Sequence, residues 1–181
     1  MLEELKKREL NKSTKKYKLM MTVLESLKTN QITEINIGNI CEECNISKVT
    51  FFKYFSTKEE ILEYFIHYWE YNAGYEIHRQ NLTGEEAIRF LFTEAYEKEY
   101  SLNVFKALIN HMSKKVKTDS IEITSSDLFT FNRNAFEEGY TNMSLYQLIN
   151  SNISDGSPEK TVILISVFYT YNVLPQSIRD N

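Results

Sequence analysis

The chain has 181 residues, of which 42% are hydrophobic and 13% aromatic, and its formal net charge is −4. Its apolar content is sufficient for a sizeable core, which excludes a disordered chain, and it has no stretch of about 18 uncharged apolar residues, which argues against a membrane span. Only five glycines and two prolines occur, fewer breakers than the turns of sheets require, so the composition predicts an all-α fold.

The N-terminal segment and the two cysteines bear on localisation. Residues 1–10 carry charges without a following apolar run or a small-residue cleavage site, unlike a secretory signal. Cys41 and Cys44 lie three positions apart, a spacing that does not suggest a structural disulfide framework. A cytoplasmic protein is expected.

Apolar spacing and capping residues predict the first two helices. An apolar stripe that ends at Leu27 indicates a helix beginning near Ser13 or Thr14. A short helix over 37–44 follows, with Asn36 as its N-cap.

A turn and two more helices come next. Residues 45–47 form the predicted turn, because asparagine tolerates the left-handed conformation better than most residues. A helix of one to two turns over 48–54 follows it. A longer helix begins at Thr57, where Thr57 and Glu60 can form a capping box, and it reaches about Arg79.

The rest of the chain also alternates apolar stripes with polar breaks. Thr83 and Glu86 repeat the capping-box pattern ahead of a further helix. The remaining elements are a helix over 102–112, a polar loop over 113–126, a helix from Leu128 to Phe136 that ends near Gly139, a short helix over 142–150, and a last helix begun by Ser157 and Pro158 and ended by Pro175.

Charge is distributed unevenly along the chain. Residues 1–60 hold eleven Lys and Arg against nine Asp and Glu, a balance of +2, whereas residues 61–181 hold ten against sixteen, a balance of −6. Between positions 5 and 24, Glu9 is the only acidic residue, and the basic ones are Lys6, Lys7, Arg8, Lys12, Lys15, Lys16 and Lys18. A basic module on an acidic body predicts a DNA-binding protein with a separate second domain. A solvated basic first helix is the alternative.

The segment 37–62, IGNICEECNISKVTFFKYFSTKEEIL, contains the predicted pair of short helices and the turn between them. Two helices joined in this way are typical of a helix-turn-helix, whose second helix enters the major groove of DNA while the first crosses the backbone. Phe51 and Phe55 are the expected anchors of that second helix, and Phe52 either packs in the core or contacts the groove. The side chains that remain for phosphates and base edges are Lys48, Thr50, Lys53 and Tyr54.

This segment resembles the signature of the TetR family of transcriptional regulators, which runs roughly T-V-x-x-I-A-x-x-A-G-V-S-x-G-T-x-Y-x-Y-F-x-x-K-E-x-L. The matching residues are Ile37, Ile40, Ile46, Ser47, Thr50, Tyr54, Phe55, Lys58 and Glu59. The departures are Asn45 and Val49 for glycines, Cys41 and Cys44 for alanines, and Phe52 for a tyrosine that can donate to phosphate. The aligned part runs from about Tyr17 to Tyr68, under a third of the chain.

The resemblance implies an all-α regulator with an N-terminal three-helix helix-turn-helix domain over 1–56 and a C-terminal ligand-binding and dimerisation bundle over 57–181. It implies a homodimer, held through the 158–172 helix together with the 125–138 or the 142–150 helix. Such a dimer would bind a near-palindromic operator in double-stranded DNA. A small-molecule effector would relieve repression, which is the usual mode of these proteins, or drive activation, which is less common.

The resemblance also carries over site residues. The expected DNA-binding residues are Asn36, Ser47, Lys48, Val49, Thr50, Phe52, Lys53, Tyr54 and Lys58. Among them, Ser47 would cap the recognition helix and Lys58 would contact a backbone phosphate. The expected walls of the effector pocket are Tyr68, Tyr71, Tyr75, Tyr96, Phe105 and Phe168, aromatic side chains that could equally fill the core.

Other functions stay as alternatives. The first is a protein of the same fold that has no small-molecule ligand and holds partner proteins through its bundle. Cys41 and Cys44 have the spacing of a redox pair or half a zinc site, but two more ligands would be needed, so packing is expected, with a thiol switch as the remaining interpretation. His67, His78 and His111 stand apart and no catalytic or phosphate-binding motif occurs, so no enzyme, metal or cofactor is expected.

Overall fold

The computed structural model describes residues 7–114 and 121–174, which form ten α-helices and no strand. The helices are α1 (Lys7–Leu27), α2 (Ile37–Cys44), α3 (Lys48–Tyr54), α4 (Glu60–Gln80), α5 (Gly84–Tyr96), α6 (Ser101–Lys114), α7 (Ser125–Phe131), α8 (Arg133–Glu137), α9 (Leu145–Asn150) and α10 (Pro158–Val173), with a 3-10 turn over Ile32–Glu34. The predicted all-α class is confirmed for these residues. None of their helices has both the length and the hydropathy that a bilayer crossing requires.

The first helix is longer than predicted. It already includes Lys7, so the predicted start near Ser13 or Thr14 is wrong. Its buried stripe continues toward the N-terminus through Lys16 and Ser13, two polar side chains that a search for apolar residues passes over. The helical start lies in a run of good helix formers, and Glu9 in the first turn interacts favourably with the helix dipole.

Neither of the two predicted capping boxes forms in full as predicted. At α4 the Thr57 hydroxyl accepts the Glu60 N–H at 3.3 Å as expected, but the Glu60 carboxylate accepts the N–H of Ser56, at 2.7 Å. At α5 the predicted box of Thr83 and Glu86 is wrong, since Thr83 makes no side-chain cap. The Gly84 N–H instead donates to the Asn152 side chain at 2.9 Å, so a distant partner replaces the local cap.

The segment around residue 132 is broken rather than continuous. The single helix predicted from Leu128 to Phe136 is wrong, because Asn132 ends α7 and caps α8. Its side-chain oxygen accepts the Ala135 N–H at 3.1 Å, and its amide donates to Asn72 on α4 at 3.0 Å. An asparagine that offers the backbone such a bond favours a new helix start over helix continuation.

The ends of the C-terminal helices follow the sequence signals more closely. Ser157 accepts the Lys160 N–H at 3.3 Å and caps α10, with Pro158 as its first residue, as predicted. The predicted loop over 113–126 overlaps both neighbouring helices, since α6 reaches Lys114 and α7 begins at Ser125, and residues 115–120 of that prediction lie outside the described residues. Pro175 lies outside the described residues.

Within the part of the chain that the structure describes, the buried apolar side chains form one cluster that extends from α1 to α10. It includes residues of α1, such as Leu19 and Leu24, and residues as distant as Phe168 on α10. Helix α1 packs against α2, α4, α6 and α7, whereas α10 packs against α5, α6 and α9. The short helices α2 and α3 are therefore joined to the bundle through α1 and α4, without an interruption of the core near residue 56.

A buried ion pair connects three of these helices. The Lys16 ammonium on α1 lies 3.1 and 3.2 Å from the carboxylate oxygens of Asp127 on α7, and 4.1 Å from the centroid of the Tyr64 ring on α4. The Tyr64 hydroxyl donates to the same carboxylate at 2.7 Å, and the N–H and hydroxyl of Thr124 donate to it at 3.0 and 2.9 Å. Burial opposes ionisation, yet Lys16 and these donors hold the pKa of Asp127 below its usual range. The carboxylate is therefore kept charged inside the protein.

We expect Lys16→Met to lower the free energy of unfolding by about 3–5 kcal/mol, because it leaves a buried carboxylate without its counter-charge. Urea unfolding followed by circular dichroism measures this difference. Lys160→Met, which removes the exposed partner of Asp155, is the control and should cost less than about 1 kcal/mol. Equal, small effects of both variants would contradict a structural role for the buried pair.

Candidate nucleic-acid interface

Helix α2 has a well-defined start and end. The Asn36 side chain accepts the Gly38 N–H at 2.7 Å, which confirms Asn36 as the N-cap. At the other end Asn45 is left-handed, with φ 54°, and the Ile46 N–H bonds the Cys41 carbonyl at 2.9 Å. This is the hydrogen-bond pattern that commonly closes a helix. The predicted role of Asn45 in the turn is confirmed, and the turn fixes the direction in which α3 leaves.

Helix α3 is capped by Ser47, as predicted. The Ser47 hydroxyl accepts the Thr50 N–H at 3.1 Å and lies 2.9 Å from the Thr50 hydroxyl. Both hydroxyls are thus oriented by each other at the exposed start of the helix. The Ser47 cap also satisfies a backbone donor that a short helix would otherwise leave free.

Two phenylalanines anchor α3 and one stays outside. Phe51 and Phe55 are fully buried, their ring centroids lie 5.9 Å apart, and the Phe55 ring lies 5.7 Å from that of Tyr64 on α4. By contrast, Phe52 is 55% exposed and Val49 is 67% exposed. Of the two interpretations of Phe52, the structure favours the one in which its ring is available for contact.

The basic residues near α3 differ in how free they are. Lys48 and Lys53 are exposed. A methyl group at Gly38 would lie 3.1 Å from Lys48 Cε, so the Lys48 stem runs back across the first turn of α2. Lys58 is already engaged, since its ammonium donates to the carbonyl oxygens of Thr33 and Ile35 at 3.1 and 3.3 Å. Lys58 therefore stabilises the segment before α2.

Tyr54 lies at the C-terminal end of α3 and is half-buried. Burial raises the pKa of its phenol, so the hydroxyl stays protonated near neutral pH and can donate a hydrogen bond. Its side chain lines a cleft between α3 and the beginning of α1.

That cleft measures about 860 Å³ and was not predicted. Its walls are Lys7, Arg8, Glu9, Asn11, Lys12 and Lys15 from α1, and Thr50, Lys53 and Tyr54 from α3. The sequence contained a usable signal, because Arg8, Lys12 and Lys15 are spaced by four and three residues and so share one face of a helix. Placing that face beside α3 required the tertiary structure.

Of the six aromatic residues predicted for an effector pocket, Tyr68 and Tyr96 line two different clefts. Tyr68 lines a cleft of about 400 Å³ between α4 and α5, and Tyr96 lines another of about 450 Å³ between α5 and α10. The other four pack against aromatic neighbours: Tyr71 and Tyr75 lie 5.6 and 5.8 Å from the Tyr140 ring, and Phe105 lies 5.4 Å from the Phe168 ring. At most one of the six therefore faces any one of these clefts.

Cys41 and Cys44 are buried free thiols on α2. The Cys44 sulfur lies 3.3 Å from the Thr22 hydroxyl on α1. Burial raises the pKa of the Cys41 thiol, which leaves it less of the reactive thiolate. Within the described part of the chain, no three His, Cys, Asp or Glu side chains are grouped so that they could hold a metal ion. Both thiols behave here as packing groups between α1 and α2.

Comparison of the chain with family models, with curated proteins and with solved structures found no match. The resemblance of the segment around α2 and α3 to the TetR family therefore stays a prediction from its motif.

We expect Phe51→Ala to lower the free energy of unfolding by about 3–5 kcal/mol, because it empties a fully buried site. Phe52→Ala removes the same ring from an exposed position and should cost less than about 1 kcal/mol. Thermal and urea unfolding of the two variants compare them directly. A large loss for Phe52→Ala would place that ring in the core and remove it from the candidate interface.

Proposed function

We propose that the chain is a sequence-specific DNA-binding transcriptional regulator, in which α2 and α3 form a helix-turn-helix and α3 enters the major groove. The observation that carries the proposal is the division of α3 into two faces. Phe51 and Phe55 hold one face in the core, whereas Val49 and Phe52 are exposed on a capped helix beside Lys53. Two neighbouring apolar side chains that are exposed on a helix mark a surface for contact with another molecule.

The chemistry of the exposed face of α3 suits contact with base-pair edges in the major groove and with the DNA backbone. Val49 and Phe52 can contact the methyl group of thymine, and Thr50 can hydrogen-bond either a base or a phosphate. Lys48 and Lys53 supply positive charge at the two ends of the helix. Lys58, whose ammonium uses two of its three donors on backbone carbonyls, has one left for a phosphate.

A dimer is part of this proposal. One recognition helix reads few base pairs, and two copies on adjacent half-sites multiply the affinity. Helix α10 exposes Val162, Ile163 and Val167, by 57%, 60% and 46%. Such an apolar face supports α10 as the contact between two copies. Of the two companion segments, 142–150 contributes the 41% exposed Tyr146, which favours it over 125–138.

An effector would act by shifting the population of dimers between two spacings of their α3 helices. It can do so only if it binds one spacing better than the other. The cleft beside Tyr68, lined also by Trp69, Phe90 and Tyr100, is a site for such a molecule. Repression relieved by the effector is the proposed mode, with activation as its variant. The apolar face of α10 also supports the alternative, a regulator without effector that binds a different protein there.

The direct test is DNA binding by fluorescence anisotropy, over a range of salt concentrations, with the region upstream of the chain's own gene and a scrambled duplex. We expect the upstream DNA to bind about 10³-fold or more tightly than the scrambled DNA. Lys53→Ala should weaken binding and lower the salt slope by about 1, because it removes a phosphate contact. Phe52→Ala should instead relax the preference at a single thymine position.

Lys106→Ala, which removes an exposed cation from α6, is the control and should leave binding unchanged. Absent or salt-insensitive binding by a folded, dimeric wild type would reject the regulator proposal and favour the interaction protein.

The dimer is tested separately by sedimentation equilibrium. Ile163→Glu should weaken self-association by about 10- to 100-fold, because it places a carboxylate in an apolar contact. Met21→Glu, which adds the same charge at a 39% exposed methionine on α1, should leave it unchanged. If Ile163→Glu remains as dimeric as Met21→Glu, the contact between copies lies elsewhere.

A further inference from the structure

The cleft between the first half of α1 and α3 is a concentrated site of positive charge. Five cations line it, Lys7, Arg8, Lys12, Lys15 and Lys53, against the single carboxylate of Glu9. We propose that this cleft binds the sugar–phosphate backbone of the duplex that α3 reads, so that α1 provides a second, sequence-independent DNA contact. The inference rests on the proposed function and names residues of α1 that the motif does not include.

The cations of the cleft are free, whereas the other lysines of α1 and its C-terminal end are engaged. Lys16 binds Asp127, Lys18 donates to the carbonyl oxygens that end α2, and Lys28 pairs with Glu25 and Glu99. Within residues 7–114 and 121–174, none of the five cleft cations has an ion pair or a hydrogen bond from its side chain. Among the described cations of α1 and its C-terminal end, those left without a partner are therefore the ones that face this cleft.

The spacing of these cations also points to an external anion. Arg8 and Lys12 are separated by four residues on one helix, and like charges at that spacing destabilise a helix. Lys15 continues the same face, one turn further along α1. A bound polyanion would offset the repulsion between these cations, because each cation would then be attracted to a phosphate.

The dimensions suit a backbone strand. Seven residues separate Arg8 from Lys15, which is about 10 Å along a helix axis. One DNA strand presents about three phosphates over that length. The cations are spread along α1 and do not converge on one point, as a pocket for a single small anion would require. The volume of about 860 Å³ also exceeds what one inorganic phosphate would fill.

The position of α3 identifies which anion this would be. Thr50, Lys53 and Tyr54 belong to α3 and line the same cleft. A duplex that holds α3 in its major groove must therefore carry one backbone strand past the cleft. The hydroxyls of Thr50 and Tyr54 add two donors that a phosphate oxygen can accept from.

The test compares Lys12→Ala/Lys15→Ala with wild type on the upstream duplex and on the scrambled duplex, by anisotropy from about 50 to 300 mM salt. We expect the salt slope to fall by about 2 and the affinity to fall by the same factor on both duplexes, because phosphate contacts carry no sequence information. Glu9→Gln should raise the affinity for both. Arg89→Ala/Lys106→Ala removes two exposed cations outside the cleft and controls for net charge.

The possible outcomes distinguish failure of the cleft proposal from failure of the regulator proposal. An unchanged slope and affinity for Lys12→Ala/Lys15→Ala, with normal operator binding by wild type, would overturn the cleft and leave the regulator standing. A loss confined to the upstream duplex would also overturn it, since the residues would then act in base recognition. Wild type that binds both duplexes equally, with a loss on both for the variant, would reject sequence-specific regulation while supporting the cleft. If wild type binds neither duplex, both proposals fall.

Discussion

The orientation of the first helix depends on the carboxylate of Asp127. It accepts bonds from Lys16 on α1, from Tyr64 on α4 and from Thr124, one residue before α7. A buried charge is tolerated only when its partners are close and well aligned, because these partners must replace the hydrogen bonds that the charge loses with water. Three helices are thereby held in one arrangement, and a rotation of α1 by one residue would leave both charges unpaired. The same constraint sets the direction in which the outer face of α1 points.

Two contacts with opposite chemistry then run between the bundle and α3. The polar contact is made by α1, which buries Lys16 and presents Lys12 and Lys15 to the cleft beside α3. The apolar one is a row of rings from Phe51 through Phe55 and Tyr64 to Phe131 on α7, with centroids 5.9, 5.7 and 4.9 Å apart. Close-packed rings transmit displacement because a gap would forfeit their contacts. Under the proposed function, a shift of α4 or α7 on effector binding therefore has a direct route to the DNA-reading helix.

The sequence predicted features whose causes lie within a few residues, and missed those with distant partners. The cap at Asn36 and the left-handed Asn45 followed from local chemistry, the cap at Ser47 followed from the family resemblance, and the structure has all three. The break at Asn132 was missed, although part of its cause is local: Asn132 caps α8 through the Ala135 N–H, and its amide also binds Asn72, sixty positions away. The predicted start of α5 after Thr83 was right, but the capping box of Thr83 and Glu86 was wrong, and a distant residue, Asn152, accepts the Gly84 N–H at that end. Local caps therefore specify where α2 and α3 begin, whereas a distant partner replaces the predicted side-chain cap at α5.

The candidate site also has one part that could be predicted from the sequence and one part that could not. The face of α3 was predictable because its residues are consecutive, whereas the cleft joins residues 7–15 to residues 50–54, which only folding brings together. A whole-chain charge of −4 argues against a DNA-binding protein, but a duplex experiences the local field. Residues 61–181, with a balance of −6, would be repelled by phosphates, while the cleft would be attracted. The unequal distribution would therefore turn the basic side of the protein toward DNA before α3 makes any contact, so the acidic bundle itself would contribute to orientation on approach.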